Sequence, residues 1–376
     1  MFDQSGARLQ SGSGVHDSGV QSIPEQEEAK RLLGAALADG PAHAYLFHGP
    51  AGVGKRRAAL AFAAELLGDE GRVERRSHPD LYLLEPLGDQ IRIDAIRELR
   101  HDLHMRPFEA NRRVYLVFSA QLMNDEAADA LLKDLEEPPP YAVLVLVADE
   151  LGPLPETIRS RCQLVPFKRL SERAVREEIA TRAPGLSEDE QRALARLAAG
   201  RLDRAERLLD PGTAARREAL LELARAVYRD PEFDPAEASR RVLEAAREVA
   251  AEARSRAEPE VERLALPTRE AELMLRRVQR GAEREELLSA LEELEAWYRD
   301  VVVVGAGAPD AAVHADRLEE LAEDATEGRA AAAEAAAEAV RETWRLFEEL
   351  NLQAGLAFEA LFVRLRRELA GAVVAA

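Results

Sequence analysis

Apolar positions follow two rhythms along the chain, and the change from one to the other divides it. In the first part, short solid apolar runs alternate with stretches of helical spacing. Tyr45–Phe47, Leu81–Leu84, Val114–Phe118 and Val143–Val147 read as buried strands, and Ile91–Ile93 as a further short one. Between them, Ala29, Leu32, Leu33 and Ala36 share a helical face that Pro24 opens and Gly40-Pro41 stops. Asp94 is placed to cap a helix running to His104. Ala128, Leu131, Leu132 and Leu135 fall at i, i+3, i+4 and i+7, after Asn124 as N-cap and before the stop Pro138-Pro139-Pro140. Strands alternating with helices predict a parallel sheet covered on both faces, an α/β domain.

After about Arg169 the strand signals stop. Ser171–Ala183, Ser187–Ala199 and Leu202–Leu209 predict three short helices, with Ser187 and Glu190 spaced as a capping box. Asp210-Pro211-Gly212 is a boundary, and from there Ala, Glu, Arg and Leu recur at helical period to Ala376. Val301–Val304 reads equally as a strand or as a buried helix segment. Residues 1–22 are rich in Gly and Ser and read as a disordered leader. The predicted division is a leader (1–22), an α/β core (23–168), a small helical part (169–210) and a larger all-helical part (211–376).

The 376 residues are enough for two or three domains. No apolar run approaches the roughly 20 residues of a membrane helix, and the chain shows no charged-then-apolar N-terminal signal. Cys162 is the single cysteine, so there is no internal disulfide and no multi-cysteine zinc site. These features read as a cytoplasmic protein without membrane contact. The net charge of −19 argues against the whole chain acting as a general nucleic-acid binder. Arg97, Arg100, His101 and Arg106 read first as a solvated helix face and second as a contact for DNA phosphate.

The densest chemistry follows Tyr45–His48. Gly49-Pro50-Ala51-Gly52-Val53-Gly54-Lys55-Arg56 is a phosphate-loop pattern between a strand and an alanine-rich helix. Gly49, Gly52 and Gly54 allow backbone N–H groups to curl round phosphate, and Lys55 has the reach for the β/γ-phosphates. The residue after the lysine should be Ser or Thr, whose hydroxyl holds Mg²⁺. Here it is Arg56, which ligates no metal. Hydrolysis also needs an acidic pair at a strand end. Val114–Phe118 ends in Ser119-Ala120, whereas Val143–Val147 runs into Asp149-Glu150, and strand pattern alone favours the second. The residues leave three readings open: a loop that binds nucleotide, one that hydrolyses it, and a relic.

Two further stretches are far more specific. Asn124–Pro139, with its Leu131-Leu132-Lys133-Asp134-Leu135-Glu136-Glu137-Pro138-Pro139 run, and Thr157-Ile158-Arg159-Ser160-Arg161-Cys162-Gln163 together resemble the AAA+ subunits of the bacterial DNA polymerase III clamp loader. The resemblance is strong over about 23–210 and mostly compositional beyond. It implies a P-loop AAA+ domain (23–168), a helical lid (169–210) and a helical collar that joins subunits (211–376). The family's acidic pair falls on Ser119 and Ala120, and its four zinc cysteines are missing from Gly68–Pro79, so the resemblance is to a non-hydrolysing member, without zinc. It further implies that Arg161 is an arginine finger offered in trans to a neighbour's ATP, that Ser160 orients the finger's turn, and that Arg204 is the lid arginine that senses nucleotide. ATP or ADP is the ligand implied for Gly49, Gly52, Gly54 and Lys55. The implied partners are the loader's ATPase and delta subunits and, through the complex, the sliding clamp and primed DNA. Two rivals stand beside this: an active ATPase, including the loader's hydrolysing subunit, using Asp149 and Glu150, and a pure interaction scaffold. Cys162 reads as a small packed residue rather than a nucleophile.

Overall fold

The computed structural model describes residues 19–86, 90–263, 267–349 and 353–371. Five parallel strands, β1 (Ala44–His48), β2 (Leu81–Leu84), β3 (Arg113–Val117), β4 (Ala142–Ala148) and β5 (Gln163–Pro166), form one sheet in the order β2-β3-β4-β1-β5. The period-two geometry of a strand sends alternate residues to opposite faces. Tyr45, Phe47, Val114, Leu116, Val143, Val145 and Val165 build one layer, with Leu33 of helix α1 (Glu27–Asp39) and Ala58, Ala59 and Phe62 of α2 (Lys55–Leu67). Ala44, Leu46, Tyr115, Val117, Leu144 and Leu146 build the other. That face is covered by Ile96 and Leu99 of α4 (Ile93–Leu103) and by Leu131 and Leu135 of α5 (Asp125–Glu136). The solid apolar runs of β1, β3 and β4 are thus explained, since these strands are buried on both sides, whereas β2 at the sheet's edge is largely half-buried. Two short helices, α3 (Glu70–Glu74) and α6 (Glu156–Arg159), complete this unit, which comprises residues up to 86 together with 91–168.

Local details differ from the sequence expectations. Ile91–Ile93 is no strand: Ile91 makes a single bridge to Met123, and Arg92, extended, already caps α4. Asp94 therefore sits inside the first turn, 3.1 Å from Arg97, instead of at the cap. Pro24 does not open α1, which starts at Glu27 after Gln26 in a left-handed conformation. Within the expected leader, residues 1–18 lie outside the described residues, while Gly19–Ser22 form a 3-10 turn with Val20 fully buried.

The second unit, from Arg169 onward, holds both the 169–210 and the 211–376 stretches. Helices α7 (Glu172–Arg182), α8 (Glu188–Ala198) and α9 (Leu202–Leu208) close round Val175, Ile179, Ala195 and Leu197. The Ser187–Glu190 capping box is present at the start of α8. Six more helices follow: α10 (Pro211–Arg229), α11 (Pro235–Arg263), α12 (Thr268–Gly305), α13 (Leu318–Asp324), α14 (Glu327–Glu349) and α15 (Ala354–Gly371). Their core centres on Leu291, Leu294, Trp297, Tyr298, Phe358, Phe362 and Leu365. Val301–Val304 is helix, the last turns of α12.

Charges are buried inside this helical core. His314 is fully buried, with Nδ1 2.8 Å from Asp300 and Nε2 3.1 Å from Glu293. Arg217 donates to the same Glu293 carboxylate at 2.6 Å. No described helix is long and apolar enough to cross a membrane.

Candidate functional site

β1 is buried from Ala44 to Phe47 and ends at half-buried His48, and the backbone then turns through Gly49 (φ 138°), Gly52 (φ 74°) and Gly54 (φ 95°) before α2 begins at Lys55. Positive φ at these positions is available to Gly at no steric cost. It folds the loop into the kind of concavity in which N–H groups gather round an anion. Gly49 has a second reason to lack a side chain. Its Cβ would lie 2.1 Å from the backbone oxygen of Phe167, on the segment that continues β5 and bonds His48 through Phe167 N–H at 2.8 Å. Gly49→Ala should therefore cost about 2–4 kcal/mol, read as a lower urea midpoint with unchanged slope. A wild-type midpoint would show that β5 yields easily.

Lys55 is almost wholly buried. Its Nζ donates to Gly49 O at 2.7 Å and to Pro50 O, and it pairs with Asp149 at 2.8 Å. Asp149 stands where strand pattern put it, just past β4, and Gln121 fixes it: the Asp149 N–H donates to Gln121 Oε1 at 3.2 Å. This acid serves a lysine, and Glu150 beside it is exposed.

At the position after the loop lysine a cation replaces the expected hydroxyl. The Arg56 guanidinium lies 4.2 Å over the Phe118 ring and pairs with Glu85, which also receives Arg76 at 3.2 Å. Beyond Phe118 come Ser119, in a left-handed conformation, and Ala120, fully buried; neither carries a carboxylate. Arg56 offers no oxygen to a metal and is already paired with Glu85, and Ser119 and Ala120 bring no carboxylate, so these residues do not fit a Mg²⁺ site. Sequence reasoning missed Glu85, Arg76 and Phe118 as the frame of Arg56. A signal for Glu85 existed, because acids just past parallel strands line the edge where sites gather.

Arg161 follows α6. Its Nη1 donates to Thr157 O at 2.9 Å and approaches Ser160 Oγ at 3.5 Å, while Nη2 pairs with Glu136 at the end of α5. Ser160 Oγ donates to Thr157 O at 3.2 Å, which closes the turn that carries Arg161. Strand register separates this arginine from the phosphate loop. Gln163 is level with Tyr45 and Pro166 with His48, so Arg161 lies before β5 begins, whereas Gly49 lies level with Phe167 beyond its end. The intervening strand alone spans roughly 13 Å. The two therefore lie at opposite ends of the paired strands β1 and β5. Arg204 belongs to the other unit, where it pairs with Glu292 of α12. The Cys162 thiol is buried, and burial pushes it up to about 12, as suits a packed residue. Arg97 and Arg100 are paired within unit one, to Asp94 and Asp134.

Comparison with known proteins bears on the same stretch. A family model described as DNA polymerase III, delta subunit, matches residues 25–171. DNA polymerase III subunit delta' of Bacillus subtilis (strain 168) is 35% identical over 162 residues, 40% of this chain and 49% of that protein. The delta' subunit of Pseudomonas aeruginosa is 40% identical over 136 residues, 32% of this chain and 42% of that protein. The tau subunit of Bacillus subtilis is also similar, at 32% over 165 residues, 41% of this chain and 29% of that protein. The matches thus span half or less of these curated relatives. A solved DNA polymerase III gamma subunit-related protein from Thermotoga maritima aligns over 91% of this chain and 99% of its own, at 17% identity with a TM-score of 0.43.

Proposed function

We propose that this chain, delta-prime-like over residues 25–171 and so of the DNA polymerase III clamp-loader family, is a subunit that hydrolyses no ATP itself and offers Arg161 to the nucleotide of a neighbouring ATPase subunit. The observation that carries the reading is the contrast between the two ends of the parallel strands. One bears a phosphate loop whose metal position holds Arg56, paired to Glu85, and whose acid position holds Ser119 and Ala120. The other bears a half-buried, pre-oriented arginine that the chain's own loop cannot use. Gly49, Gly52, Gly54 and Lys55 are the residues that would hold ATP or ADP, with Arg204 as the lid arginine of the reading. The remaining partners proposed are the delta subunit and, through the complex, the sliding clamp and primed DNA, with the helices after Asp210 joining the subunits.

The isolated chain should then show ATP turnover indistinguishable from buffer, with or without Mg²⁺. Robust Mg²⁺-dependent turnover that disappears in Glu150→Gln would overturn this and promote Asp149 and Glu150 to a hydrolytic pair. A silent isolated chain that leaves its partners' turnover insensitive to Arg161 would instead point to a scaffold.

A further inference from the structure

We propose that Glu136 is a positioning residue for Arg161, holding its guanidinium in one arrangement at the sheet edge until a neighbouring subunit's phosphate takes the carboxylate's place. This rests on the reading of Arg161 as a finger offered in trans.

Three contacts fix the guanidinium, and they differ in kind. Thr157 O and Ser160 Oγ receive Nη1 from within the same short turn, at 2.9 and 3.5 Å. Glu136 receives Nη2 and is the only charged partner among the three; it comes from a different element. That element is rigid. α5 is anchored in the sheet's second layer by Ala128, Leu131 and Leu135, and Pro138-Pro139-Pro140 follow its end. Glu136 is its last residue, where the helix dipole adds negative potential of its own to that of the carboxylate. A long flexible arginine is thereby reduced to a defined geometry before any nucleotide is met, which is what preorganisation requires.

The same pair is built to be broken. The side chains of Arg161 and Glu136 remain 33% and 50% exposed. Solvated pairs of this kind are weak. A phosphate oxygen in a closed interface is the stronger, charge-assisted acceptor for the same fork. Exchange of Nη2 from Glu136 to phosphate leaves Nη1 on Thr157 O, so the turn keeps its hold while the finger engages. A buried carboxylate would have sequestered the arginine, and no carboxylate would have left it to search.

The test is ATP turnover, in the presence of sliding clamp and primed DNA, of complexes reconstituted with full-length Glu136→Ala, Glu136→Gln, Arg161→Ala, and Glu136→Ala combined with Arg161→Ala. Co-elution in size-exclusion chromatography establishes equal assembly. Glu136→Ala should lower kcat at the affected site by about two- to fivefold, with KM for ATP little changed. Glu136→Gln, which keeps a neutral acceptor, should recover part of the loss. The combined variant should equal Arg161→Ala alone. Wild-type turnover in Glu136→Ala beside a fall in Arg161→Ala overturns the positioning role and leaves the finger reading standing. A further loss on adding Glu136→Ala to Arg161→Ala also overturns it, since Glu136 would then be holding α5 and α6 together. Wild-type turnover in Arg161→Ala ends the finger reading and this inference with it.

Discussion

Replacing Arg161 by Ala in the reconstituted complex should lower ATP turnover at the site it serves by about a thousandfold or more. In phosphoryl transfer the protein supplies position and charge, and an arginine reaching in from a neighbour meets charge that grows on the equatorial oxygens. Arg161→Lys should be nearly as damaging, because an ammonium carries the charge without the planar fork that matches two oxygens at once. Neither change should disturb folding or assembly. The ion pair lost with the side chain is partly solvated, with Glu136 half exposed, and such pairs contribute about 1 kcal/mol or less. The readout is clamp- and DNA-stimulated turnover with subunit association measured in parallel. Bulk turnover falls only by the share of the affected site, so single-turnover measurement with one active ATPase subunit gives the clean number. Wild-type rates in both variants would end the finger role.

The second large effect lies far from nucleotide chemistry. His314→Ala should destabilise the helical unit by about 3–5 kcal/mol, the usual cost of breaking a buried ion pair from one side. His314 sits between Asp300 and Glu293 with no exposure. Burial alone would push its pKa down, but the hydrogen bonds to Asp300 and Glu293 outweigh burial and raise it to about 9. Glu293 is likewise opposed by burial, yet His314 and Arg217 bring it down to about 2. The raised imidazolium contributes stability that is complete below about pH 6.5 and is lost as pH rises through about 9. The depressed carboxylate contributes stability that is complete above about pH 4.5 and is lost as pH falls toward about 2. Wild-type thermal midpoints should accordingly decline between pH 6.5 and 9, and the decline should flatten in His314→Ala. His314→Gln retains a donor and should recover part of the loss. An identical alkaline decline in wild type and His314→Ala would mean that the histidine is neutral in the fold.

Much of this was visible in the chain. Val114–Phe118 and Val143–Val147 were legible as strands because burial on both faces leaves no polar position to blur the run. The Arg56 substitution was legible because it directly follows the loop lysine, whereas the acid-free Ser119-Ala120 was reached only through the family resemblance, strand pattern alone favouring Asp149-Glu150. What escaped depends on partners distant in sequence. Arg217 and Glu293 lie 76 positions apart, and Arg161 and Glu136 lie 25 apart, so no window of pattern joins them. Ile91–Ile93 was misread because two isoleucines flanking a charge satisfy strand alternation, while the ladder beside them had room for one bridge. Gly19–Ser22 escaped because one apolar residue, Val20, anchors the turn, its N–H held by Glu65 at 2.6 Å.

Gly49 carries a consequence for how such loops age. Pattern matching counts it as a vote for nucleotide chemistry, yet the ballot is cast partly by Phe167, whose carbonyl leaves no volume for a methyl group. A lineage that abandoned phosphate altogether would still be obliged to keep this glycine, for the sake of β5. Seven residues on, Arg56 lies across Phe118 with no backbone carbonyl to dictate its side chain, so that position answers to the loop's chemistry rather than to β5.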